Sequence, residues 1–492
     1  MKTSNLNSSF FPIRYDKFVL LLLTFMSIGT LSAQDLITFP ATDSIPHNDD
    51  FSVKVRVPGG QWQDLYEYEV QVDMHKVQKS SMVTFDFKGT VEVSVTSNKA
   101  TVSNARIRPL SYQIEPQVTG NTILLTLTKP GNLSLEVNGD IFHNLHIFTN
   151  LPETDKPEAK DTSVIYFAPG FHTVKGGVLH IPSGKTLYLA GGAVLNAKLS
   201  CVNAKNVRIC GRGIIYKPSN GGEINYSSDV KVEDLIFINP RYNTLTFGQS
   251  SNVSVKNIRS FSSQGWGDGI DLFCCDNVLI EDVFMRNSDD CIAIYCHRWD
   301  FYGDCKNVIV RNSSLWADVA HPILLGTHGN PEPGKGETLE NMIFSNIDIL
   351  NQDELQLDYQ GCMSINVSDG NMARNIRFED IRVEDIELGQ LVNLRVAYNK
   401  KYAKAPGRGI ENVLFKNITY NGTRANTSFI QGYDESYAIK NVIFENLTIN
   451  GQIIKDGVKK RGYMQLADVA NIFIGTHVEG VEFRGSEDQL SK

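Results

Sequence analysis

The chain has 492 residues, 41% hydrophobic and 21% charged, a balance that belongs to globular proteins and excludes low-complexity, collagen-like and disordered chains. Its 47 Lys and Arg stand against 55 acidic residues, a net charge of −8, so no cationic field invites a polyanion and no nucleic-acid partner is expected. The length allows two domains, and 10% aromatic residues with only 17 Pro favour a strand-rich interior.

Lys2, Arg14 and Lys17 precede an apolar run from Phe18 to Gly29, and the small residues Ser32 and Ala33 offer a cleavage site before Gln34. The run is short for a bilayer span, so residues 1–33 are expected to be a secretory signal peptide, with an uncleaved N-terminal anchor as the alternative. The protein is then exported, to the periplasm or the outside, with no membrane span after cleavage. No Cys precedes Cys201, so lipidation at the cleavage point is unavailable.

Residues 34–150 alternate polar and apolar side chains in short runs. Examples are Phe51 to Val57, Tyr66 to Val72, Val91 to Val95 and Thr122 to Thr128, separated by turns such as Pro58-Gly59-Gly60 and Pro130-Gly131-Asn132. Period-2 alternation turns one face of each run inward, and several such strands at short spacing predict a β-sandwich. Residues 151–163 are polar and hold two Pro, which reads as a linker.

From residue 164 to 492 a repeat takes over. Its copies begin at Asn206, Asp229, Asn252, Asn277, Asn307, Asn341, Asn375, Asn412, Asn441 and Asn471, at intervals of 23, 23, 25, 30, 34, 34, 37, 29 and 30 residues. Each start precedes a Val-x-Val-like strand, and most copies carry a second Asn, Asp or Gly soon after, where a short polar side chain tolerates a left-handed bend. No helix-length amphipathic run separates the copies, so helices cannot join the strands as in an α/β fold. Stacking the copies is the remaining way to pair their backbones. The expected all-β fold is therefore an N-terminal β-sandwich followed by a right-handed parallel β-helix, whose coils lie about 4.8 Å apart. Copies longer than the 23-residue minimum must carry loops, which wall a groove.

The eight Cys, residues 201, 210, 274, 275, 291, 296, 305 and 362, sit in apolar strand-like runs without CxxC or zinc-finger spacing. Buried thiols are expected, although one or two disulfides fit an exported protein. No metal or cofactor is expected.

Within the ladder, Trp266-Gly267-Asp268 and Ser288-Asp289-Asp290 concentrate acid. Asp268 and Asp289 are 21 residues apart, close to one bare coil, so they are expected to stack on neighbouring turns, with Asp290 in the same patch. Crowded like charges raise at least one carboxyl pKa, as a general acid requires. The next coil brings His321, able to hold a carboxylate's charge state or to bond a sugar. Two carboxyl groups about a glycosidic oxygen and a water are the machinery of glycoside hydrolysis. Trp266 is a candidate sugar-stacking ring, as is Trp299 nearby; His297, Arg298, His328, Arg395 and Tyr398 are further groove candidates. Asp271, three residues after Asp268, reads as structural. A polysaccharide lyase would need a calcium site and a Lys or Arg base, for which no spacing is evident, and a non-catalytic carbohydrate-binding solenoid would have no reason to collect three acids.

These motifs resemble those of polygalacturonase-type β-helices of glycoside hydrolase family 28. That family's Asn-Thr-Asp, Asp-Asp and Gly-His-Gly correspond to Trp266-Gly267-Asp268, Asp289-Asp290 and Ala320-His321-Pro322. The sandwich ahead of the helix also resembles the dextranase and isopullulanase group, family 49. The resemblance implies an inverting mechanism without a metal: Asp289 as general acid, Asp268 and Asp290 activating water, and His321 in support. The expected substrate is a polysaccharide or oligosaccharide. Polygalacturonases place Arg-Ile-Lys where a galacturonate carboxylate binds, whereas the local match is Ser364-Ile365-Asn366. An uncompensated carboxylate is costly to bury, so a neutral glycan such as an α-glucan is expected ahead of polygalacturonate. Arg395, Lys400, Lys401 and Arg408 on later coils are an alternative source of positive charge.

Overall fold

The computed structural model describes residues 35–485, and the expected signal peptide lies outside them. Eleven strands between Asp35 and Asn150 form two sheets, one of six strands and one of five. Alternate residues such as Val53, Val55, Val93, Val95 and Leu125 fill the space between the sheets, as their period-2 spacing requires. Within the six-stranded sheet, Asp140–Asn150 runs parallel to Gln78–Lys88, a mixed pairing that alternation alone does not announce. Residues 151–163 contain no strand.

From Val164 to Arg484 thirty strands join one continuous sheet in which almost every pairing is parallel and each strand meets its equivalent one coil on. This is the right-handed parallel β-helix. Among the described residues the only helical pieces are three short 3-10 turns. All ten copy-start residues adopt φ between 54° and 59°. Asn and Asp tolerate this left-handed corner because their short side chains find local partners. The partners are each other: Asn252 Nδ2 donates to Asp229, Asn277 to Asn252, Asn412 to Asn375 and Asn441 to Asn412, at 3.0, 2.7, 3.1 and 2.7 Å. Inside the solenoid Phe344, Phe378, Phe415, Phe444 and Phe483 stack ring on ring at 4.7–5.0 Å, the spacing set by strand pairing.

The sandwich is bonded to the flank of the helix. Tyr68, Val70, Val72, Met82 and Phe148 share an apolar layer with Ile236, Phe261, Phe284, Trp316 and Leu350 of successive coils. Buried arginines stitch the same seam. Arg286 donates to Asp318 at 3.0 Å and to Asn144 of the sandwich at 3.0 Å, its guanidinium 4.0 Å from the Trp316 ring centroid. Arg108 pairs with Glu136 at 2.9 Å and with Glu384 of the helix at 2.6 Å. Buried charges persist only when paired in this way.

Candidate active site

The strands Leu245–Gly248, Ile270–Phe273, Ile292–Tyr295 and Ile323–Leu325 lie side by side in register. Ile270, Leu272, Ile292 and Ile294 point into the solenoid core. Asp271, Phe273 and Tyr295, on the alternate positions, point outward and line a cleft of about 760 Å³. Two residues before each strand, the same register aligns Asn243, Asp268, Asp290 and His321 on four successive coils. The backbone follows: Gly269 N–H donates to Asp290 O at 2.8 Å and Cys291 N–H to His321 O at 2.8 Å. Gly269 makes this closeness feasible, since a Cβ there would fall 2.3 Å from Cys291 O.

The partner one coil beyond Asp268 is thus Asp290, not Asp289. Asp289 sits in the bend just before, its Oδ2 accepting Trp266 N–H and its Oδ1 accepting the N–H of Asp290, both at 3.2 Å. All three carboxyls line the cleft, together with Asp271. Three cleft residues, Trp266, Trp299 and Ala320, hold φ of 63°, 51° and 69°, a conformation uncommon for residues other than Gly, Asn and Asp.

Each acid has a different environment. Asn243 Nδ2 donates to Asp268 Oδ2 at 3.3 Å and also to Asp271 Oδ2. Burial, then the charges of Asp271, Asp289 and Asp290, push the Asp268 carboxyl well above the usual carboxylate range, and a hydrogen bond to Asp271 retains its proton. Burial and the Asp290 charge raise Asp271 to about 8 and Asp289 to about 7. Asp290 is 5% exposed and held on both oxygens: Oδ1 accepts from His321 Nδ1 at 2.7 Å and from His321 N–H at 3.2 Å, while Oδ2 accepts Tyr295 OH at 3.2 Å and keeps a second acceptor site. The other His321 nitrogen, Nε2, faces the carbonyl of Tyr359. Both ring nitrogens meet acceptors, so the imidazole is held as its cation; burial opposes this, and the Asp290 charge overcomes it to raise the His321 pKa.

Trp266 and Trp299 are 63% and 59% exposed on the cleft walls, open to a ligand. Arg298 lines the cleft with its guanidinium over Trp299, and it approaches His328 Nδ1 at 3.4 Å. Burial, then the nearby Arg298 charge, lower the His328 pKa to about 3, which leaves that ring neutral. Lys401 reaches in from a later coil and donates to Gln356 at 2.8 Å.

Three expected groove residues do not line the cleft. His297 bonds the carbonyl of Trp299 at 3.1 Å with its ring against Tyr302. Arg395 is tied to the carbonyl of Asp358 at 2.6 Å, and Tyr398 packs beneath Lys400. Conversely, Asn243, Tyr295 and Tyr359 belong to the site without having been singled out. Asn243 stands 25 residues before Asp268, the interval between Asn252 and Asn277, so counting one coil backward would have found it. Among the described residues no cluster of His, Cys, Asp and Glu is arranged to hold a metal. All eight Cys are buried and free.

A sandwich followed by a parallel β-helix defines a class of solenoid, and solved structures resemble this chain in fold. Dex49A from Penicillium minioluteum superposes with a TM-score of 0.62 over 91% of this chain and 96% of its own, at 14% identity. A family 28 exopolygalacturonase from Yersinia enterocolitica superposes with a TM-score of 0.51 over 81% of this chain and 97% of its own, at 12% identity. At these identities the likeness concerns the fold. The family is given by sequence: the chain belongs to glycosyl hydrolases family 28, whose model matches residues 217–462, half of its length. Its relatives include an exopolygalacturonase of Cochliobolus carbonum, 25% identical over 320 residues, and a polygalacturonase of Juniperus ashei, 25% identical over 215 residues. These alignments cover 62% and 42% of this chain, and 65% and 38% of the relatives, less than two thirds of either.

Proposed function

We propose that this protein is an exported glycoside hydrolase that cleaves O-glycosidic bonds of a polysaccharide with inversion. The observation that carries the reading is the column Asp268–Asp290–His321 with Asp289 beside it at the cleft floor. Asp289, raised to about 7, is the general acid that protonates the leaving oxygen. Asp290 is the carboxylate that takes a proton from the attacking water, its charge and orientation held by His321 and Tyr295. Asp268 adjoins Asp290 and completes the hold on that water. Inversion requires acid and base carboxyls about 6.5–9.5 Å apart, leaving room for the water between them. Family membership supports the reaction class.

For the substrate we favour a uronate-containing polysaccharide. Arg298 and Lys401 put two cations in the cleft, and a carboxylate there gains charge-assisted hydrogen bonds. The relatives named as polygalacturonases point the same way. A neutral glycan such as an α-glucan is the second reading, and one observation favours it: Ser364 and Asn366, where polygalacturonases place Arg and Lys, are buried, with Asn366 Nδ2 bonded to Ser364 Oγ at 2.5 Å. Reducing-end release and product anomeric configuration, measured over polygalacturonic acid, rhamnogalacturonan and dextran, test both levels. Products bearing an unsaturated chromophore would make the protein a lyase, and absence of any product would make it a binder. Dextran as the best-cleaved polymer would favour the neutral reading.

A further inference from the structure

The cleft that holds the acids is not built by the β-helix alone. Met74 and His75, from the hairpin between sandwich strands Tyr68–Val72 and Gln78–Lys88, are among its lining residues. Asp73 starts the turn with φ of 59°, and its carboxylate accepts the N–H of His75 at 2.9 Å, which shapes the tip from within. Three ties fix the tip against the helix. Gln71 N–H donates to Asn239 Oδ1 at 3.1 Å. The backbone of Asp73 bonds the carboxylate of Asp318, itself anchored by the buried Arg286. Met74 Sδ lies over Gly265, 3.7 Å from where a Cβ on that glycine would stand. His75 is exposed beside Asp353, whose carbonyl accepts the N–H of the cleft residue Ala320 at 3.0 Å.

The tip therefore flanks the Trp266 turn, next to the residue whose N–H is bonded to the proposed acid Asp289. A half-buried thioether and an exposed imidazole there match the two surfaces of a pyranose ring. Met74 offers a polarizable apolar contact for a C–H face, and His75 a donor and acceptor for hydroxyl or carboxylate oxygens. The apolar layer of Tyr68, Val70 and Val72 and the Arg286 and Arg108 pairs hold the hairpin rigidly, so it arrives in place before a ligand does.

We infer that Met74 and His75 form a sugar-binding wall contributed by the sandwich, so that the N-terminal domain sets part of the specificity of the helix's active site. The inference rests on the hydrolase reading. The interaction is with bound sugar in ground and transition states alike, so its loss raises KM and spares kcat.

The test is steady-state kinetics on whichever of polygalacturonic acid, rhamnogalacturonan or dextran the wild-type protein cleaves best, comparing Met74→Ala/His75→Ala with Lys76→Ala. Lys76 is exposed on the same hairpin and does not line the cleft. The expected result is a KM about tenfold higher in the double variant, with kcat and melting temperature unchanged, Lys76→Ala like wild type, and partial recovery in Met74→Leu/His75→Gln. A KM within twofold of wild type overturns the inference. So does a joint loss of kcat and melting temperature, which marks a purely structural hairpin. Asp289→Asn with full activity sinks the acid assignment, yet a KM shift in the double variant would still uphold the wall. A wild-type protein that cleaves none of the polymers removes the hydrolase reading and this inference together.

Discussion

His321 Nδ1 and Asp290 Oδ1 stand 2.7 Å apart, on adjacent coils of one register column. Neither residue reaches the other by local sequence; the pairing exists because the chain has completed one circuit between them. The second imidazole nitrogen faces the Tyr359 carbonyl, so the ring donates twice and keeps a cation against the carboxylate.

Replacing His321 by Ala is expected to leave the strand ladder intact while removing that cation, lowering kcat by about 100-fold with little change in KM. Kinetics with far-ultraviolet circular dichroism of the same preparation check this; wild-type turnover would show that Asp290 needs no such support.

Asp289→Asn is expected to reduce kcat by about 100- to 10,000-fold, the range associated with losing one positioned proton donor, at unchanged melting temperature. The amide oxygen still accepts the Trp266 N–H and only the long bond from the N–H of Asp290 is given up, so folding has little cause to suffer. Appreciable turnover by the variant would move the acid role elsewhere.

The pH profile follows from the same residue. Asp289 must carry its proton to act, and its pKa is pushed up to about 7 by burial and by the Asp290 charge. The acid is thus protonated below that value and the rate falls about tenfold per pH unit above it, while the base must stay ionised on the low side, giving an optimum on the mildly acidic side. A rate that stays level to pH 9 contradicts the assignment.

Asp271→Asn is expected to stabilise the protein at alkaline pH. The wild-type carboxyl titrates at about 8 in the folded chain, against 3.8 ordinarily, so the folded state binds this proton more tightly than the unfolded state. Its cost is absent below about pH 4 and grows as pH rises to about 8. The amide removes the charge and still accepts from Asn243, so a gain on the order of 1 kcal/mol at pH 8 should vanish near pH 4. Urea denaturation at the two pH values measures it; equal stability of the two proteins at pH 8 would refute the argument.

Asn412 tests the outer ladder. It donates to Asn375 and accepts from Asn441 with φ of 57°. Asn412→Ala loses both bonds and keeps a strained backbone, a cost of about 2–3 kcal/mol, whereas Asn412→Gly loses the bonds alone and should cost about 1 kcal/mol less. Denaturation midpoints that fail to rank wild type, Gly and Ala in that order would count against this account of the repeat.

The solenoid was legible because its Asn corners recur, and a left-handed bend every coil leaves a mark in sequence. The acids were legible as a group, but their partners were not. Distance along the chain suggested Asp268 over Asp289, while strand pairing puts Asp290 there, because the bend at Ser288 and Asp289 takes up one residue before the ladder resumes. Asp271 reads as structural when its neighbours in space are unknown; beside Asp268 and under the shared amide of Asn243 it helps set the charge of the cleft. Arg395 lies outside the cleft lining with Nη1 bonded to the carbonyl of Asp358, a partner that distance along the chain does not announce. Met74 and His75 were invisible because nothing in an alternating strand run says which hairpin tip will touch another domain.

The buried cysteines, none in a disulfide, have a practical consequence. Burial pushes the Cys275 thiol up to about 12 and raises the Cys291 and Cys305 thiols well above their ordinary value, so the native chain presents no reactive thiolate to alkylating reagents. Unwinding coils between Cys201 and Cys362 would expose thiols that a maleimide can capture. The pattern of captured residues along the axis would chart which rungs open first, a footprint of local unfolding obtained without introducing a single label site.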